Sequence, residues 1–512
     1  MVYSYMSTDR KEKLKKIIAC ILFISIVFFL LCKVTWIFRG NKSEAREDIA
    51  GFKSQGKIDV VLCAGSNLLR YYQPLEAWNQ KGYTSYNYAT SSARADLLKE
   101  YIEDSRTTNE ALLYVCDIRT ITDVNKEVEE ASVRNWSDSL SLSSVTRLKG
   151  ISSFLFTRDY KDCDIPSFYL DIIKYHSNYD SLKDAYQWSY TNTKNIDNID
   201  KGFSPNQNHI PFEEPISTNV RGELSEQQEY ALDKLLNYCE KEKLNVLFIC
   251  CPYIAPKEEW EILNTCGDKI KERGYTFINF NEYYDEIGLD FERDFGDVNH
   301  VNYLGAEKYT AYLMNYLSEN YELPDHREDT SYRKWEEDYA IFDASRRQWR
   351  LDTTEVVEEH LNAKKTAETL RSLENFDSWY QQIQDNNFTV IIKKNGYLEY
   401  SNTNDILNSF IEKYEIDMTQ KYYIGLWNSD ECIFSTNDEE SVEQGIGVDG
   451  GRGLTPCIIT SGEGSMLCIG DTDYYHQDAD IQVIVYDNNY KQIIDDVNIQ
   501  IVDDKEVHLI RA

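Results

Sequence analysis

Short apolar runs alternate with amphipathic stretches through much of the first two thirds of the chain. Residues 58–64 (IDVVLCA) form a nearly unbroken apolar run, and comparable runs recur at 85–89, 111–116, 245–251 and 276–280. Such runs suit strands buried on both faces of a parallel sheet. Helical patterns lie between several of them, at 93–102, 226–241 and 258–273. The alternation predicts an α/β fold with helices on both faces of a parallel sheet, and with reactive groups beyond the carboxyl ends of the strands.

One segment departs from this rhythm. Residues 17–38 (IIACILFISIVFFLLCKVTWIF) are apolar apart from Ser25, Lys33 and Thr35. A helix of this length crosses a hydrocarbon layer of about 30 Å. Lys33 is near enough to one end to snorkel, and Trp36 and Phe38 suit an interface. The basic residues Arg10, Lys11, Lys13, Lys15 and Lys16 precede it. They predict a cytoplasmic tail over 1–16, a membrane anchor over 17–38 and an outward-facing remainder. A cleaved signal peptide is the rival reading; the long apolar run and the lack of an A-x-A-like site after it speak against that.

Residues 40–57 are polar and aperiodic and read as a short stalk. A main domain is expected over 55–325, interrupted from about 120 to 224 by a polar, aromatic-rich insertion with a few helical segments such as 167–175. Insertions this long form lids, binding surfaces or partner contacts. After a closing helix at 303–317, charged segments predict a helical connector over 326–386. Runs of β type at 388–392, 422–427, 457–459, 466–469 and 481–486 predict a small β-rich domain over 387–512.

Composition narrows the function classes. With 512 residues the chain exceeds one hydrophobic core, and 42% hydrophobic and 13% aromatic residues are globular values. A net charge of −33 repels a phosphate backbone, which excludes nucleic acid as a partner. The 12 cysteines include no C-x-x-C pair and no Cys/His zinc spacing, and Cys63, Cys116, Cys250 and Cys251 fall inside apolar runs as small buried hydrophobes. Gly445, Gly447 and Gly450 fit G-x-G-x-x-G without a βαβ context and read as a flexible loop.

The candidate chemistry sits at two ends of the α/β region. Strand one runs into Ala64-Gly65-Ser66-Asn67, where a strand-to-helix turn exposes the serine hydroxyl and glycine permits the turn. Asp297-Val298-Asn299-His300 stands just before the closing helix, at a spacing that lets Asp297 hold the His300 imidazole. Singly, these are an ordinary turn serine, and a capping aspartate beside a surface histidine. Together they fall on one edge of the sheet and supply a nucleophile, a base and an orienting acid.

At these residues the chain resembles the SGNH/GDSL hydrolase superfamily, whose first block places serine after Gly or Asp and whose last block is D-x-x-H. Residues 300–310 (HVNYLGAEKYT) are similar to the H-x-N-x-x-G-A-x-x-[FY]-T ending of membrane-anchored members from low-GC Gram-positive bacteria. The resemblance covers about residues 57–323 and implies an SGNH-like three-layer domain. It implies Ser66, Asp297 and His300 as a catalytic triad, with the N–H groups of Ser66 and Ala89 as oxyanion donors. Ala89 occupies the usual glycine position of the second block (YNYATS, 86–91). The third block normally supplies an asparagine, which residues 114–119 (YVCDIR) lack. Asp117 and Arg119 then line the cleft or form an ion pair, and Asn67 and Tyr253 are further cleft candidates. Residues 174–177 (KYHS) also resemble a segment of the subgroup, with His176 read as structural. Residues 479–495 faintly resemble an interleukin-like (ILEI-type) domain, β-rich in that family and thought to bind carbohydrate or proteins.

What the resemblance implies is an outward-facing serine acyl hydrolase or O-acyltransferase acting on cell-envelope polysaccharide or teichoic-acid esters. It would work beside a membrane-bound O-acyltransferase, with an envelope glycan as substrate and no metal or diffusible cofactor. The alternative is a catalytically inactive envelope scaffold that binds glycan or an acyltransferase partner, which the missing asparagine favours.

Overall fold

The computed structural model describes residues 8–39, 44–124, 130–157, 164–181, 198–384, 387–398, 403–428, 431–447, 454–462, 464–502 and 506–511. The chain forms two compact units, Met1–Thr354 and Glu355–Ala512.

The first unit is built on a five-stranded parallel sheet. Its strands are β1 (Val60–Ala64), β2 (Ser85–Ala89), β3 (Leu113–Asp117), β4 (Val246–Cys250) and β5 (Thr276–Asn279), in the order β2-β1-β3-β4-β5. The first four strands are buried along their whole length, which is why they read as continuous apolar or aromatic runs. Cys63, Cys116, Cys250 and Cys251 are fully buried among them. The chain leaves β1 toward β2 on one side and toward β3 on the other. The carboxyl ends of β1 and β3 therefore flank the crevice at which open α/β sheets place ligands. A two-stranded hairpin, β6 (Phe295–Asp297) and β7 (His300–Val301), precedes the helix Tyr303–Asn320.

The N-terminal helix Thr8–Phe38 contains the apolar span, whose most hydrophobic stretch is not covered by protein and which is long and apolar enough to cross a membrane. The expected stalk is instead ordered for most of its length. Residues Glu44–Ser54 form a helix with Ile49 and Phe52 fully buried, and the Phe52 ring meets Tyr86 and Tyr88 edge-on at 5.3 and 4.9 Å. The apolar positions Ala45, Ile49 and Phe52 recur at helical spacing, but the charged residues between them hide that pattern in composition.

The described parts of the insertion include the short helices Glu130–Ser137, Val145–Thr157, Ile165–Tyr169 and Ile172–Tyr175, with Leu170 and Asp171 breaking what reads as one segment over 167–175, whereas residues 203–224 run without helix or strand. The long helix Arg333–Arg371 follows, with Trp335 and Phe342 packed into the core of the first unit.

The second unit is antiparallel. Strands β8 (Phe388–Asn395), β9 (Tyr422–Asn428), β10 (Glu431–Thr436), β15 (Ile481–Asp487), β16 (Gln492–Val502) and β17 (Glu506–Arg511) form one sheet in the order β10-β9-β8-β15-β16-β17. Strands β11 (Ser441–Ile446), β12 (Thr455–Thr460), β13 (Met466–Ile469) and β14 (Thr472–Asp473) form the other. Val390, Ile392, Val483 and Val485 pack with Phe376, Trp379 and Phe410 from two short helices, whereas Ile391, Ile484 and Tyr486 face the smaller sheet. Covering both faces of β8 and β15 explains why apolar residues run consecutively at Val390–Ile392 and Val483–Tyr486. Gly445 pairs with Pro456 inside β11, so the G-x-G-x-x-G segment begins in a strand rather than a flexible loop; Gly450 lies outside the described residues.

Candidate functional site

Gly65 turns the chain out of β1, and Ser66 opens the helix Ser66–Tyr71. A Cβ on Gly65 would lie 3.3 Å from Thr120 Cγ2 and 3.6 Å from Ala93 Cβ, so a glycine lets the loops after β2 and β3 close around the serine. Ser66 Oγ lies 2.7 Å from His300 Nε2. His300 Nδ1 lies 2.9 and 3.0 Å from the two carboxylate oxygens of Asp297. A proton on Nδ1, donated to Asp297, leaves Nε2 free to accept the Ser66 hydroxyl. Burial works to raise the Asp297 pKa, but the hydrogen bond and charge of His300 and the Asn299 N–H prevail and hold it below the usual value. The carboxylate is thus ionised where imidazole titrates.

The hairpin that carries Asp297 and His300 is pinned to the serine helix. Asn67 Nδ2 donates to the Asn299 carbonyl at 3.0 Å, and the Tyr71 hydroxyl accepts the Val301 N–H at 3.0 Å. Thr310 Oγ1 donates to the Tyr71 carbonyl at 2.9 Å and accepts the Gln73 N–H at 3.1 Å. Asn302 caps the helix Tyr303–Asn320 by accepting from Leu304 and Gly305 N–H groups. A Cβ on Gly305 would fall 2.5 Å from the Asp294 carbonyl oxygen. Each of these letters of the 300–310 motif has a job in placing His300.

A cleft of about 830 Å³ opens over the triad, with Ser66 and His300 in its lining. Arg119 and Tyr253 line it too, the guanidinium lying 4.7 Å over the Tyr253 ring. Arg119 pairs with Asp123 at 3.1 Å and bonds the Asn299 side chain, and the Tyr253 hydroxyl donates to Glu259 at 2.8 Å. Arg119 forms its ion pair with Asp123, while the Asp117 carboxylate accepts the Arg119 backbone N–H at 2.8 Å. Burial pushes Asp117 up to about 6. Asn67 and Asp117 are buried outside the cleft lining, with Asn67 bonding the hairpin instead.

Ala89 is also placed differently from its expected role. It is fully buried in β2 opposite Ala64, and the cleft wall is reached only at Ser92 and Ala93. Ser92 adopts a left-handed conformation with φ of 56°, which turns the loop so that Ala93 meets Gly65. Arg94 and Glu259 are lining residues that the sequence reading missed. Glu259 had a weak signal, since it lies in the first turn of the helix Lys257–Glu272 that follows β4.

His176 is exposed and bonds only the nearby Ile173 carbonyl, at 2.7 Å. Among the described residues no group of three or more His, Cys, Asp or Glu side chains is placed to hold a metal ion. No protein-family model and no curated protein matches this chain.

Proposed function

We propose that this chain is a membrane-anchored, outward-facing serine acyl hydrolase or O-acyltransferase of SGNH type, acting on esters of cell-envelope polysaccharide or teichoic acid. The reading rests on one observation, the continuous Ser66–His300–Asp297 hydrogen-bond chain at the mouth of an open cleft. Ser66 Oγ attacks the acyl carbonyl while its proton passes to His300 Nε2, and Asp297 steadies the imidazolium. The backbone N–H of Ser66, at the first helical position, has no acceptor within its own helix. It and the Ala93 N–H are the donors offered to the oxyanion. His300 returns the proton to the departing alcohol, leaving an acyl-Ser66 ester. A second alcohol or water, deprotonated by His300, then takes the acyl group and restores the serine.

Residues 114–119 lack the asparagine that the third block of the resembled family supplies, which keeps a non-catalytic envelope scaffold as the second reading. The test is hydrolysis of p-nitrophenyl acetate, and labelling by a fluorophosphonate, for the full chain in detergent. Activity and labelling lost in Ser66→Ala, with hydrolysis lost in His300→Ala, sustain the catalytic reading. Turnover or labelling that survives in both variants removes it.

A further inference from the structure

We infer that part of the insertion, residues 165–179, is a platform seated on the lipid surface of the membrane, so that the catalytic cleft is held at a fixed height above the bilayer. The inference rests on the reading of Thr8–Phe38 as membrane-spanning.

The platform is clamped to the end of that helix. The Phe38 carbonyl accepts a hydrogen bond from Asn178 Nδ2 at 2.8 Å. Arg39, buried directly after the helix, pairs with Asp171, and its Nη1 donates to the Asp138 carbonyl at 2.9 Å. Asp171 also pairs with the fully buried Arg147 at 2.7 Å. The segments Ile172–Tyr175 and His176–Ser181 pack against the helix.

The depth of this packing decides what surrounds it. Residues 12–30 of the helix are exposed along their length, whereas Leu31, Cys32, Trp36, Ile37 and Phe38 are half-buried and Thr35 is buried. Leu31 to Phe38 spans roughly 10 Å of helix. The platform packs at this end of the helix, where Arg46 also covers the Trp36 ring at 3.9 Å, at the level where a spanning helix passes from hydrocarbon to head groups.

What it exposes there is apolar. Ile165, Leu170, Ile173 and Tyr179 are each between 40 and 62% exposed. Beside them Lys174 pairs with Glu130 at 2.7 Å and the Tyr175 hydroxyl donates to Asp138 at 2.6 Å, while Asp164 stands exposed at the edge of the patch. Apolar side chains fixed beside a membrane helix match an interfacial lipid contact. A net charge of −33 gives the outward part of the chain no long-range attraction to anionic lipid, so the contact proposed is the apolar one.

The helix Glu130–Ser137 joins platform to cleft. Ser132 lines the cleft, while Arg134, two residues on, lies 4.2 Å over the Phe168 ring and donates to Ser167 Oγ at 2.6 Å. About one helix diameter, roughly 10 Å, separates the two.

The experiment places the photoreactive residue p-benzoylphenylalanine at Ile173, Tyr179, Ile24 or Ile216 of the full chain. Each variant is reconstituted one copy per nanodisc of phosphatidylethanolamine and phosphatidylglycerol and irradiated. Lipid adducts at 173 and 179 should approach the yield at Ile24 and exceed that at the exposed Ile216 by at least about tenfold. Adducts at Ile24 with none at 173 or 179 overturn the platform and leave the anchor intact. Absence of adducts at Ile24 overturns the membrane reading itself. In native membranes, adducts from 173 or 179 to a protein instead of lipid overturn the lipid assignment.

Discussion

Asp297 and His300 are cross-strand partners in the β6–β7 hairpin, with only Val298 and Asn299 between them. The D-x-x-H spacing is thus the spacing of a two-residue hairpin, which fixes the imidazole by backbone pairing as well as by the 2.9 Å bond to the carboxylate. In Asp297→Asn the hairpin remains, but the amide keeps one acceptor oxygen in place of two and bears no charge to balance an imidazolium. Ester hydrolysis should fall on the order of 10³- to 10⁴-fold in kcat, with the thermal midpoint nearly unchanged. An unaltered kcat would remove Asp297 from the mechanism.

Gly305 lies against backbone rather than against a movable side chain. In Gly305→Ala the new Cβ meets the Asp294 carbonyl oxygen at 2.5 Å and Val301 Cβ at 2.8 Å, so the helix Tyr303–Asn320 must shift. Overpacking of this kind costs about 1–3 kcal/mol. The displaced helix also carries the adjoining His300 strand, so chemical unfolding should register the loss of stability together with a lower kcat. Full stability in the variant would show that the helix has room to move.

Four of the five parallel strands were readable because each is buried on both faces and so forms a compact apolar or aromatic run. Ser66 and the Asp297–His300 pair were readable because short local motifs place them at strand and helix ends. That Ala89 lies buried within β2 was not legible, because the length of β2 is set by pairing with β1, which no local pattern encodes. The helix Glu44–Ser54 was missed because three buried apolar residues sit among charges, and only its docking on Tyr86 and Tyr88 makes the pattern legible. The partners of Arg119 lie 134 residues beyond it at Tyr253 and further still at Asn299, and sequence distance hid them.

Asp117 binds its proton more tightly in the folded chain than when unfolded, since burial raises its pKa from 3.8 to about 6. Its contribution is therefore fully present below pH 4 and is lost as pH rises through 6. The shift corresponds to roughly 3 kcal/mol. Asp117→Asn keeps an oxygen for the Arg119 N–H, 2.8 Å away in the parent, and cannot ionise. Between pH 4 and pH 7 the variant should gain up to about 3 kcal/mol relative to the parent, as read from paired urea titrations. A difference that does not vary with pH would place the Asp117 pKa at its ordinary value.

Asp171 is the shared counter-ion of Arg39 and Arg147, and all three side chains are 2% exposed or less. Neither guanidinium can turn to water without opening the insertion. Asp171→Ala strands Arg39 beside Arg147, which keeps only the longer pair with Asp138 at 3.7 Å, and stranding a buried charge costs about 3–5 kcal/mol. Arg147→Met is a milder change, because Asp171 keeps Arg39 and the Met side chain fills part of the space. Thermal unfolding of the full chain in detergent should rank the variants in that order, and Asp171→Ala should expose residues 164–181 to protease at temperatures where the parent resists. If Asp171→Ala melted with the parent and resisted protease equally, the cluster would be solvated and the clamp between the N-terminal helix and the insertion would carry no stability.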